Sequence, residues 1–228
     1  SAASDVYKRQ TNSVDEAQYA EFPWMAALHK FDYEASNPEY ICGGSLIHPY
    51  VILTAAHCVN NVEPSRLMVR LGEWDSQTTK EILPHSDHYV SEFIVHPDFG
   101  PSNVINDYAL LVLKNPADLK VHINTVCLPP KDYKFSGNCL ASGWGAEKFG
   151  QEELYRVNLK KLELGLVSLK ECQDSLRSTK LGPRFKIHSN FMCAGGEQGI
   201  DTCTGDGGSP LVCPVPGKEE IFYQAGIV

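Results

Sequence analysis

Gly205-Asp206-Gly207-Gly208-Ser209-Pro210-Leu211 is the stretch on which the reading of this 228-residue chain turns, and Gly207 stands at its centre. Nucleophilic catalysis on an acyl group needs an oxygen or sulfur atom held beside a base. Gly207 has no side chain to supply one. Outward from this stretch the chain is built of short apolar or alternating runs. These are Trp24-Met25-Ala26-Ala27-Leu28, Leu67-Met68-Val69-Arg70-Leu71, Phe93-Ile94-Val95, Tyr108-Ala109-Leu110-Leu111-Val112-Leu113 and Tyr155-Arg156-Val157-Asn158-Leu159. Gly, Pro, Asn and Asp punctuate them, which is the pattern of an all-β antiparallel barrel or sandwich.

The length allows a substantial core in one domain or two closely packed halves. Twenty Lys and Arg stand against 28 Asp and Glu, and no basic cluster stands out. The electrostatic footprint of a nucleic-acid binder is missing, and a polyanion partner is not expected. No apolar run approaches the length of a membrane span, and the N-terminus lacks the basic start and apolar core of a signal peptide. Eight cysteines, at 42, 58, 127, 139, 172, 193, 203 and 213, include no Cys-x-x-Cys pair. Oxidised extracellular cysteines are therefore preferred over zinc ligands or a set of buried reduced thiols. Their connectivity does not follow from spacing.

Ser168 to Leu176 is the helix candidate, with Ser168 as cap and Leu169, Cys172 and Leu176 on one face. Leu128-Pro129-Pro130-Lys131-Asp132 reads as a linker between halves of about 11–125 and 135–228. Residues 1–10 have no apolar periodicity and join abruptly to the rest, as an adaptor-derived, non-native stretch would. The chain stops inside an apolar run, Tyr223 to Val228, as a fragment would.

Three motifs carry a resemblance to a known family. Thr54-Ala55-Ala56-His57-Cys58 resembles the histidine motif of the chymotrypsin-like serine proteases, and Asn106-Asp107-Tyr108-Ala109-Leu110-Leu111 resembles their aspartate motif. Gly205 to Leu211 is similar to their nucleophile loop, Gly-Asp-Ser-Gly-Gly-Pro-Leu, and the order His, Asp, nucleophile is kept. Phe22-Pro23-Trp24, Cys42-Gly43-Gly44-Ser45-Leu46-Ile47, Cys127-Leu128-Pro129 and Ser142-Gly143-Trp144-Gly145 extend the likeness over nearly all of Thr11 to Val228. The resemblance implies a double six-stranded antiparallel β-barrel, its second barrel incomplete at the C-terminus. It also implies disulfides Cys42 with Cys58, Cys139 with Cys213 and Cys172 with Cys193. Cys127 and Cys203 are left unpaired, their family partners lying outside this sequence.

In an active member the histidine takes the serine proton and the aspartate fixes the histidine tautomer. By resemblance His57, Asp107 and Gly207 are the triad positions, vestigial without a hydroxyl, and Gly205 and Gly207 are the vestigial oxyanion-hole positions. Losing the nucleophile removes on the order of 10⁶ in turnover in a related mechanism. Ser209 lies where the family has a glycine packed behind the site, so its hydroxyl is expected to point away from His57. Active members pair a freed Ile-Val-Gly-Gly amine with the aspartate matching Asp206. The corresponding stretch here is Thr11-Asn12-Ser13-Val14. Asp201 matches the base of a trypsin-type pocket for Arg or Lys. Leu71-Gly72-Glu73-Trp74-Asp75 through Lys80-Glu81 resembles a calcium loop of some members, in which Glu73, Asp75 and Glu81 could supply carboxylates; a solvated acidic loop is the default reading. No other cofactor is expected.

Asp201 to Pro214, Gly72-Glu73-Trp74-Asp75 and Ala20-Glu21-Phe22-Pro23-Trp24-Met25 resemble more narrowly the clip-domain serine protease homologues of arthropods. That resemblance implies a secreted haemolymph protein with an upstream clip module. It would act without catalysis as a cofactor in prophenoloxidase activation, with prophenoloxidase or its activating protease as partner. The alternatives are an adhesion or pattern-recognition protein on the same scaffold, and an active trypsin-like endopeptidase misread at Gly207.

Overall fold

The computed structural model of the chain describes residues 15–31, 38–77, 82–145, 158–196 and 206–228. The stretch 1–10, Thr11 to Val14, Lys80, Glu81, Tyr155 to Val157, Asp201, Cys203 and Gly205 lie outside the described residues.

Period-two burial builds the first half. Its strands are β1 (Met25–Lys30), β2 (Glu39–His48), β3 (Val51–Thr54), β4 (Leu67–Leu71), β5 (Ser86–Val95) and β6 (Ala109–Leu113). In β6, Ala109, Leu111 and Leu113 are buried while Leu110 and Val112 are partly exposed. That alternation is required of a strand with only one face on a core. The six strands close into an antiparallel barrel in the order β1-β2-β3-β6-β5-β4. Leu28 closes it, standing opposite Cys42 on β2 and Val69 on β4.

Among the described residues of the second half, β7 (Asn138–Gly143), β8 (Lys160–Val167), β9 (Cys193–Ala194), β10 (Pro210–Val215) and β11 (Lys218–Ile227) form a five-stranded sheet in the order β11-β10-β7-β8-β9. The closed barrel and the second sheet are the chymotrypsin-like arrangement implied by the motifs. One apolar cluster joins the halves, with Trp144, Leu159 and Val212 packed among barrel residues such as Leu28, Ile52 and Leu111. The Trp24 ring lies 5.8 Å from that of Phe222. The buried Ser45 hydroxyl donates to Gln224 Oε1 at 2.7 Å.

Leu159 corrects the expected run from Tyr155 to Leu159, because β8 begins one residue later, at Lys160. Its amide donates to Trp74 O and its carbonyl accepts from Ala17 N, both at 2.9 Å. These partners belong to the chain's beginning and to the loop after β4, so Leu159 ties segments together and takes no place in the sheet ladder.

Among the described residues two short α-helices flank the sheets: α1 (Ala56–Val59), directly after β3, and α2 (Leu169–Arg177). Ser168 caps α2 from outside it, its Oγ accepting from Glu171 N at 3.2 Å and donating to Glu171 Oε2 at 2.7 Å. This reciprocal pair satisfies an amide at the helix start that has no partner within the helix. The expected apolar face of α2 is only half-covered, and none of its residues is fully buried. The helix is held by its disulfide to Cys193.

Candidate functional site

Strand β3 and helix α1 deliver His57 to the surface between the halves, and the turn before β6 delivers Asp107. Asn106 adopts left-handed backbone, φ 56°, a conformation Asn tolerates better than most residues. Asp107 Oδ1 accepts the His57 amide at 2.8 Å, and Oδ2 lies 2.6 Å from His57 Nδ1. A carboxylate can only accept, so Nδ1 carries the proton. In the neutral ring Nε2 is then the basic nitrogen, as in a working general base.

Nε2 points to where a nucleophile would stand. A Cβ built on Gly207 would lie 3.1 Å from Nε2 and 3.9 Å from Cys42 Sγ. The Gly207 carbonyl accepts from Gly43 N at 2.9 Å, and Ser209 N donates to Asp206 O at 3.0 Å. The turn is thus pinned on both sides of Gly207. A histidine oriented by a carboxylate thus faces a residue that has no side chain.

Ser209 is fully buried, and its Oγ has no hydrogen-bond partner among the described residues. It packs against the Cα of Gly43, where any Cβ would collide with it, and lies 3.4 Å from a Cβ built on Gly143. The motif alone could not show that its hydroxyl is buried and unbonded. Asp206 likewise has a surrounding the sequence did not reveal. Its Oδ1 accepts the Gly145 amide at 3.0 Å, and a Cβ on Gly145 would lie 2.6 Å from that carboxylate. The Ser142-Gly143-Trp144-Gly145 motif is therefore a cradle for Asp206. Its glycines were the available signal.

The cysteines expected to pair do so: Cys42 with Cys58, Cys139 with Cys213, and Cys172 with Cys193. Cys127 is free and exposed. Cys42, His57 and Cys58 bring their sulfur and nitrogen atoms within 4.8 Å of one another. Both sulfurs belong to the disulfide, so no thiolate is available for a metal.

The described residues of the candidate calcium loop do not fit the ion. Glu73 is buried, and its Oε2 lies 3.3 Å from Arg70 Nη1 and 3.5 Å from His85 Nδ1. Its Oε1 accepts the Trp74 amide at 3.2 Å. Asp75 Oδ1 accepts from Gln77 N at 3.0 Å. A calcium shell needs six to eight oxygens converging on one point. Glu73 instead meets a guanidinium, which offers no acceptor and would repel the ion.

No helix among the described residues is long and apolar enough to cross a membrane. Residues 11–228 match the Trypsin family. The chain is 50% identical, over 93% of its length and 73% of the relative's, to the protein named phenoloxidase-activating factor 2 of Galleria mellonella. To inactive CLIP domain-containing serine protease A28 of Anopheles gambiae it is 40% identical over 95% of its length, spanning 56% of that protein. To the tryptase of Mus musculus it is 35% identical over 93% of its length, spanning 76%. It spans 45% of the length of another relative, inactive CLIP domain-containing serine protease A3 of Aedes aegypti. The ordered His57–Asp107 pair, the three disulfides and these matches together place the chain in the trypsin family, as a serine protease homologue of the clip-domain group.

Proposed function

We propose that the protein acts without peptidase chemistry, as a secreted binding partner in the phenoloxidase-activating cascade. Gly207 carries this reading. It occupies the nucleophile position beside an intact His57–Asp107 pair, and removing only the nucleophile raises the barrier by roughly 8 kcal/mol. Support comes from relatives whose names describe phenoloxidase-activating factors and inactive CLIP proteases. Prophenoloxidase or its activating protease is the partner, and the disulfides suit an oxidising extracellular setting.

The test adds full-length protein to prophenoloxidase and its activating protease and follows phenoloxidase output. Enhanced or altered output is expected, with no cleavage of an arginyl anilide substrate by the protein alone. Unchanged output sinks the cofactor role; robust anilide cleavage sinks the non-catalytic one.

A further inference from the structure

The Cys172–Cys193 disulfide brackets a loop that leaves α2 and returns to β9. From Ser178 to Met192 it contains Lys180, Arg184, Lys186 and His188 and not one Asp or Glu. Residues 172–193 hold four Lys and Arg against one acidic residue, while the rest of the chain holds 16 against 27. That one acid, Asp174, lies 3.5 Å from Arg177 Nη1. Lys180, Arg184 and Lys186 are exposed and make no ion pair with any of the described residues. A net acidic composition concealed this local reversal of sign.

The loop has a fixed shape. Arg177 Nε donates to Phe185 O at 2.9 Å, Ile187 N to Gln173 Oε1 at 3.2 Å, and Gly182 N to Thr179 O at 3.0 Å. Among its cations stands Leu181, half-exposed, with Leu169 and Met192 also open to solvent. At its inner edge Asn190 Nδ2 donates to Asn106 Oδ1 at 2.6 Å, one residue from Asp107. The cationic loop therefore borders the cleft in which Gly207 replaces the nucleophile.

We propose that this loop is a docking surface for an acidic, leucine-bearing segment of a protein partner. The inference rests on the reading that the chain works by binding, and it names where and by what chemistry. Complementary charge steers and orients such an encounter. A preformed loop gives up little entropy on binding. Exposed leucine and methionine side chains among the cations supply apolar contact that a glycan or nucleic-acid polyanion would not use. A long polyanion would also extend from this loop over a surface of the opposite preference, because the remainder of the chain is strongly acidic.

The test measures anisotropy of a labelled peptide, Glu-Leu-Glu-Asp-Leu-Glu-Glu-Leu, with the full chain, and runs a labelled heparin oligosaccharide in parallel. Reversing Lys180, Arg184 and Lys186 to Glu should weaken peptide binding about 30-fold. Reversing Lys114, Lys131 and Lys134, exposed elsewhere, should change it less than about twofold. Leu181→Ser should weaken the peptide several-fold and leave heparin unaffected. Equal loss from both triple reversals, or no loss from either, overturns the proposal. Tighter heparin binding through the same three cations, indifferent to Leu181, overturns it in favour of a glycan. Peptide binding reads the surface directly, whereas phenoloxidase output reads the cofactor role, so the two can fail independently.

Discussion

Gly207 holds its backbone so that an added Cβ would stand 3.1 Å from Nε2 of His57. The position is thus still aimed at the base, and the backbone there is outside the left-handed region reserved for glycine. Gly207→Ser should fold, with a stability change within about 1 kcal/mol. It should nonetheless fail as a peptidase. The contact is close enough that the imidazole must give by some tenths of an ångström, and the sequence lacks an Ile-Val-Gly-Gly stretch at Thr11 to Val14. Because oxyanion donors are each worth about 10²–10³ in turnover, kcat/KM on an arginyl anilide should remain at least about 10³-fold below that of an active trypsin-like enzyme. Activity within tenfold of such an enzyme would show that the serine alone was missing.

Ser209 places an unbonded hydroxyl in a fully buried site. A polar group left unsatisfied away from water costs about 1–3 kcal/mol. Ser209→Ala keeps Cβ and removes the oxygen, so it should raise stability by about 1 kcal/mol in chemical denaturation. Ser209→Thr, by adding a methyl against Gly43, should lower it. A destabilised alanine variant would mean that the hydroxyl has a partner.

The cradle under Asp206 makes a sharper claim. Gly145→Ala drives a methyl into the Asp206 carboxylate and should destabilise by about 1–3 kcal/mol, the range of overpacking. Asp206→Ala in the same background removes the obstacle. The two changes should therefore be non-additive by about 1 kcal/mol or more in a double-mutant cycle. Additive effects would place the carboxylate elsewhere.

How far the fold could be read from the sequence is clearest at β4, where the run Leu67 to Leu71 is the strand itself, and at Ser168, where the capping chemistry is local. Periodicity and caps are short-range signals, and they survive without tertiary information. His57 and Asp107 were legible because their motifs are dense, and the structure brings them together across 50 residues. Leu159 reads as strand in the sequence because an apolar residue after an alternating run looks the same whether its backbone bonds to a neighbouring strand or, as here, to Ala17 and Trp74. The partners of Glu73 are not legible in the sequence: Arg70, three residues back on β4, and His85, at the far end of the same loop, carry no motif that marks them as turned toward its carboxylate. The basic character of the bracketed loop is hidden in the whole-chain charge, which averages its sign away.

His29 on β1 supplies a pH dependence. Burial lowers its pKa below the ordinary 6.5, and the nearby Arg70 guanidinium lowers it further, outweighing the opposing Ala27 carbonyl and Asp87; His85 also lowers it. The folded state therefore resists a proton that the unfolded chain accepts, and stability falls as pH drops below 6.5. Asp87 adds a separate loss at lower pH. Burial raises its pKa, but the hydrogen bond and charge of Arg70 outweigh this and hold it below the ordinary 3.8. Its stabilisation is present above that value and disappears as pH falls through the depressed one. His29→Gln should flatten the stability profile between about pH 6.5 and 5 while leaving the acid limb below about pH 4 in place. An unchanged slope in the upper window would assign it to another group.

Glu73 sets the expectation for calcium. Its carboxylate lies against Arg70 and His85 in a buried position, so the cation it needs is already within the fold. Calcium at about 5 mM exceeds the dissociation constants of weak extracellular sites, and a bound ion would raise Tm by mass action. Neither that addition nor excess EDTA should move Tm. Arg70→Leu should have a large effect, because removing one partner of a buried ion pair costs about 3–5 kcal/mol. That variant should also be the one in which calcium gains a foothold, since Glu73 would then lack its guanidinium partner. A calcium-dependent rise in the Tm of the unaltered protein, abolished by Glu73→Gln, would restore the metal site and overturn this assignment.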